Sequence, residues 1–140
     1  MVDGGAFDAD KAYKDSKLCN MLFTAEAARR LATSGATANA FSPGLIPSPS
    51  GFFKNQNQLF ANVFSAIAGA AGVSETAAFG GACLAFMTVD PSLGDVTDGW
   101  WDTDPPGKHQ LRVHEPSTEA RDVQEQIRLW ELSEKLVGLA

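Results

Sequence analysis

The sequence predicts an α/β fold that is mostly helical, with one or two short strands. Two long segments, 10–34 and 117–138, place apolar residues three and four positions apart, the pattern of a helix with one buried face. Between them, residues 37–41 form a short apolar run that ends at Ser42-Pro43-Gly44, as a buried parallel strand leading into a turn would. A third segment, 52–89, is rich in Ala, Gly and Phe and reads as two helices.

Composition sets the class. With 140 residues, 44% hydrophobic and 20% charged, the chain is long and apolar enough for one domain with a core. A net charge of −6 argues against nucleic acid, whose phosphates require clustered Lys and Arg. Cys19 and Cys83 are far apart in apolar helical contexts, which predicts reduced core residues and neither a disulfide nor a metal cage. The most apolar run, 59–73, is interrupted by Asn62 and Ser65 and is shorter than the roughly 18 residues of a membrane span. Peripheral membrane contact stays open, although the run supplies no Lys or Arg for it.

The elements follow in order. Asp10 is the expected N-cap of the first helix, whose buried stripe is Leu18, Met21, Leu22, Ala25, Ala28 and Ala32. Glu26 pairs by spacing with Arg29 and Arg30, read as a solvated outer face, and Gly35 ends the helix. Prolines at 47 and 49 make 45–51 a loop. Residues 52–71 read as a helix with a broad apolar surface: Phe52, Leu59, Phe60, Val63, Phe64 and Ile67. Ser74 is the expected cap of the next helix, with Glu75 in its first turn. Gly80-Gly81 weakens that helix unless it packs closely on a neighbour, and Asp90-Pro91 ends it.

Residues 99–102 are a strand candidate and 104–107 a turn. His109 and His114 read as exposed loop residues, because their spacing suits neither a metal pair nor a carboxylate-held base. Ser117 is the expected cap of the last helix, with Ala120, Val123, Ile127, Trp130 and Val137 as its stripe and Gly138 as its stop.

Chemistry concentrates in the first helix. Tyr13, the one tyrosine in the sequence, stands four residues before Lys17, so phenol and ammonium share a helix face. A fixed cation beside a phenol favours its ionised form and eases proton release, as a general acid requires. Ser42-Pro43-Gly44 follows the expected strand at its carboxyl end, where open α/β sheets bind ligands. Proline fixes such a turn, and glycine lets a bound group approach the backbone.

Tyr-x-x-x-Lys followed by a strand and a Pro-Gly turn resembles the short-chain dehydrogenase/reductases. KAYKDSKLCNML at 11–22 resembles one branch of them, the light-dependent protochlorophyllide reductases. VSE at 73–75, DPSL at 90–93 and WELSEKLVGLA at 130–140 resemble the same branch. The resemblance implies the C-terminal half of a Rossmann-like fold, a single incomplete domain over residues 1–140. Its parts are the Tyr-x-x-x-Lys helix at 10–34, a strand and Pro-Gly loop at 36–51, a helical pocket or docking region at 52–89 and a C-terminal helix at 117–138.

The resemblance also implies a reaction: light-driven reduction of protochlorophyllide by NADPH in a plastid or cyanobacterium. Tyr13 would be the acid and Lys17 its partner, and Tyr13, Lys17, Pro43, Gly44 and Ile46 would contact the cofactor. The chain departs from the pattern at Leu45, where the family has a cysteine, and at Pro-Ser-Pro-Ser over 47–50 in place of a threonine-containing run. Both departures lie on the substrate side of the implied pocket.

A dinucleotide site also needs a Gly-rich turn between a strand and a helix, to hold the pyrophosphate. GAAG at 69–72 lies in a helical run with no strand before it and cannot serve. The expectation is therefore a polypeptide inactive alone, either a piece of a longer reductase or a chain whose missing sheet face is covered by another protein. The alternative is a non-enzymatic accessory subunit of a plastid photosystem or antenna complex, thylakoid-associated and bound to protochlorophyllide or chlorophyll. Tyr13 and Lys17 favour the first reading; the 45–50 loop and the Ala/Gly-rich 52–71 segment favour the second.

Overall fold

In the computed structural model, which describes residues 6–47 and 57–139, the first helix starts at a carboxylate. Asp8 accepts from the Lys11 N–H at 3.0 Å and caps α1 (Ala9–Leu31), two residues before the expected cap. Asp10 falls instead in the first turn, where its charge favours the helix N-terminus. The N-terminal half of α1 is largely exposed, whereas Leu22, Glu26, Ala27 and Ala28 in its C-terminal half are buried.

The sheet has three strands rather than one or two. β1 is only Ala40–Phe41, shorter than the expected strand over 37–41, because Ala38 and Asn39 spend their polar groups on the 96–99 loop. It pairs in parallel with β2 (Trp100–Thr103), placing Ala40 beside Trp100 and Phe41 beside Trp101. β2 then pairs antiparallel with β3 (Leu111–His114). β3 overturns the loop reading of His114, which sits in the ladder opposite Trp100, whereas His109 stays in the exposed loop before the strand.

Helices approach both faces of the sheet, although Val113 of β3 stays exposed. Ala40 and Trp100 face α1 and the last helix, lining a small gap with Met21, Ala120 and Gln126. On the opposite face Phe86 meets Trp101 edge-on at 5.8 Å. Phe86 belongs to α3 (Ala77–Val89), which Thr76 caps through the Phe79 N–H, displacing the expected cap Ser74. Gly80 of α3 packs as its sequence anticipated: an added Cβ would meet Ile46 Cδ1 at 2.7 Å.

Before α3 comes α2 (Gln58–Ala70), capped by Asn57. Its Ala61 and Ala68 are buried, but Leu59 is 72%, Phe60 54% and Ile67 64% exposed. The expected start of this helix, at Phe52, lies outside the described residues. Asp90 closes α3 and opens a 3-10 turn at Pro91–Leu93.

The last helix, α4 (Val123–Val137), begins at Asp122, with Ser117 holding only the turn before it. Gly138 ends it in the left-handed conformation, as expected. The buried residue of α4 is Gln126; of the expected stripe Ala120 is buried and Ile127 and Trp130 half-buried, while Val123 and Val137 are 48% and 69% exposed.

Polar groups cement α1 to α4. Glu26 is 3% exposed, not solvated; Arg30 Nε donates to it at 2.7 Å, and Arg29 bridges from Glu26 to Gln126. Phe23 stacks on Trp130 at 5.0 Å, and the Arg30 guanidinium lies over the indole at 4.7 Å. Among the cysteines Cys83 is buried and Cys19 half-buried, and neither forms a disulfide. No described helix is long and apolar enough to cross a membrane.

Candidate functional site

Tyr13 and Lys17 lie on the exposed N-terminal half of α1, one turn apart. Lys17 Nζ stands 5.2 Å from the centre of the Tyr13 ring, so the cation sits over the π-face of the phenol. Opposite this pair, β1 runs out into Ser42-Pro43-Gly44, the turn at its carboxyl end. Gly44 adopts φ +76°, in the left-handed region that a side chain resists. An added Cβ there would also lie 2.4 Å from Thr103 Oγ1.

The turn divides two cavities of similar size. The first, about 530 Å³, is lined by Tyr13, Lys17, Phe41, Ser42, Pro43 and Gly44 among others. The second, about 520 Å³, is lined by Tyr13, Pro43, Gly44, Leu45, Ile46 and Thr103 among others. Thus Tyr13, Pro43 and Gly44 border both, Lys17 only the first and Ile46 only the second. The five site residues read from the sequence surround one turn, with the phenol at the junction. Leu45, the departure from the family pattern, is part of the second wall.

Behind the turn is a group that the sequence reading missed. Glu75 precedes α3 instead of lying in its first turn; its side chain is fully buried and its N–H donates to the Leu45 carbonyl at 2.8 Å. Its carboxylate takes the His109 N–H at 3.3 Å and lies against His109 Nδ1. The half-exposed His109 ring also packs on Phe79 at 5.2 Å. His109 is therefore carboxylate-held, contrary to the sequence reading. Partners 34 positions apart leave no spacing signal. The buried Cys83 thiol is pushed up from its ordinary value, first by burial and then by the charge of Glu75.

Comparison with known proteins places the chain. Over 146 residues it is 42% identical to protochlorophyllide reductase A of Arabidopsis thaliana, a match that takes in 100% of this chain and 34% of that protein. The chain is related to the protochlorophyllide reductases. Protochlorophyllide reductase B of rice, Oryza sativa subsp. japonica, is 41% identical over 100% of this chain and 34% of its own length. The Marchantia paleacea enzyme is 40% identical over 99% of this chain and 30% of its own length.

This protochlorophyllide reductase-like chain thus spans about a third of the length of the curated relatives it matches. No family model matches it. The mixed sheet, with helices approaching both faces, agrees with part of a short-chain dehydrogenase/reductase fold.

Proposed function

We propose that this chain is the tyrosine–lysine segment of a light-driven, NADPH-dependent protochlorophyllide reductase, and that it does not turn over alone. The observation that carries this reading is the position of Tyr13, beside Lys17 and at the junction of the two cavities. From there its hydroxyl serves as the proton donor to a substrate, and Lys17 orients it while binding a ribose hydroxyl. Pro43, Gly44 and Ile46 border the nicotinamide, which packs against the turn that they form. When bound, NADPH supplies the hydride; the chain contributes position and a proton.

The chemistry of these residues fits the nicotinamide riboside end of the cofactor, and the first cavity is in the size range of a small-molecule pocket. Among the described residues no strand precedes a glycine-rich turn and helix that could cradle the pyrophosphate. That part of the site, and the cover for the open edge of β1, lie outside the described residues. The names of the relatives support a plastid location, and thylakoid association is part of the same proposal.

The second reading is an accessory subunit of a photosynthetic pigment–protein complex. The exposed apolar face of α2 favours it, together with Leu45 in the wall of the second cavity. Sedimentation of the chain, detected by antibody, in a gradient of gently solubilised native membranes tests both. A small species that carries the pyrophosphate-binding part as well and consumes NADPH and protochlorophyllide on illumination supports the reductase. Salt-resistant migration with a large chlorophyll-containing complex, without that turnover, replaces it with the accessory subunit.

A further inference from the structure

A buried carboxylate is stable only where donors meet its oxygens. The Glu75 side chain has 0% exposure, and one residue supplies donors to both of its oxygens. His109 gives its N–H to Oε1 at 3.3 Å, and its Nδ1 lies against Oε2. The same Glu75 supports the Pro-Gly turn from behind. Its N–H holds the Leu45 carbonyl at 2.8 Å, and its Cγ would be 2.9 Å from a Cβ on Gly44.

The loop that carries His109 is anchored separately. At Gly107, with φ +71°, an added Cβ would meet the Gly72 carbonyl oxygen at 2.0 Å. The two backbones are therefore in direct contact one short step before His109. Three segments distant in sequence converge on one carboxylate, directly behind the turn that divides the two cavities.

The geometry points to Glu75 as a positioning residue for the Pro43-Gly44 turn, held in place by His109 as a clamp. Its use in catalysis rests on the reading of that turn as the nicotinamide-facing wall; the clamp itself does not. Loss of the imidazole strips a buried carboxylate of a donor, so Glu75 must shift toward water and the turn must follow. His109 stands at φ 54°, a conformation that asparagine adopts more readily than most residues. An asparagine there also brings an amide N–H close to where Nδ1 stands.

Amide hydrogen exchange on the full chain tests the clamp, comparing the wild type with His109→Ala, His109→Asn and Glu75→Gln. In His109→Ala, exchange at residues 42–46 is expected to rise about tenfold, while the buried helix segments of α1 and α4 keep their wild-type rates. His109→Asn is expected to restore protection at 42–46, and Glu75→Gln to behave like His109→Ala. Should Glu75→Gln unfold the chain, the half-exposed His109 still permits the decision. Unchanged exchange at 42–46 in His109→Ala overturns the clamp, and so does an increase spread equally over α1 and α4 or a failure of asparagine to rescue.

In the light-driven assay, His109→Ala raises the KM for NADPH more than it lowers kcat. If the wild-type chain shows no turnover there even when assembled with the part that holds the pyrophosphate, the reductase reading fails, while the exchange result still decides the clamp.

Discussion

Gly44 bears two burdens that can be separated by mutation. Its φ of +76° disfavours any side chain, and Thr103 Oγ1 and Glu75 Cγ leave no room for a Cβ. Gly35 has nearly the same φ, +74°, with nothing within 4 Å of an added Cβ. Gly44→Ala is therefore expected to cost about 2–3 kcal/mol and Gly35→Ala about 1 kcal/mol in urea unfolding of the chain. Equal losses at the two sites would mean that the 42–46 turn yields freely and is not a fixed wall. Tyr13 belongs to the same scale. In the assembled reductase, Tyr13→Phe is expected to lower photoreduction by about 10²–10⁴-fold with little change in NADPH binding, since a general acid contributes that much. Photoreduction at the wild-type rate in Tyr13→Phe would remove Tyr13 as the donor. The Tyr13–Lys17 pair was legible because its partners lie four residues apart on one helix. Glu75 and His109 were not, because a loop must fold back before they meet.

Between elements, the junction of α1 and α4 depends on polar contacts more than on apolar stripes. Glu26 is buried against Arg29 and Arg30, and Arg29 continues to Gln126, whose Nε2 donates to the Ala120 carbonyl at 2.8 Å. The two arginine side chains are about 40% exposed and can be rehydrated, which limits the loss when Glu26 is changed. Glu26→Gln is expected to destabilise the chain by about 1–3 kcal/mol, read from the urea midpoint. An unchanged midpoint would make the pair a surface feature after all. Spacing alone showed that Glu26 meets Arg29 and Arg30, but not that a second helix closes over them. β3 was missed for a related reason: its alternation is only four residues long and begins inside a polar stretch. Its identity as a strand comes from β2, which supplies the ladder. Capping follows local rules and titrates accordingly. The Asp90 carboxyl is held below its ordinary value of 3.8, first by the Ser92 hydroxyl and then by the Ser92 N–H. A depressed folded value stabilises above the unfolded pKa, and that contribution is lost as pH falls through the folded one. Asp90→Asn is therefore expected to flatten the acid limb of the stability curve below about pH 4 and to leave its slope at neutral pH unchanged. An unaltered acid limb would assign that limb to other carboxylates.

For the molecule as a whole, the question is what the exposed apolar surface is for. Leu59, Val63 and Ile67 of α2 are 72%, 50% and 64% exposed, positions at which a core residue would be buried. A triple change of these residues to serine removes little buried area. It is expected to shift stability by less than about 1 kcal/mol, as surface substitutions usually do. The same variant separates the two functional readings. In an accessory subunit the α2 face is an attachment surface, so the variant should leave the large chlorophyll-containing fraction and sediment as a small species. In a reductase, the contacts that matter are the open edge of β1 and the wall formed by Tyr13, Lys17 and the Pro-Gly turn. Photoreduction by the assembled enzyme should then survive the α2 change and fail with Tyr13→Phe. A variant that keeps the complex but loses photoreduction would contradict both assignments of the α2 face, because it would place Leu59, Val63 and Ile67 in the catalytic wall itself.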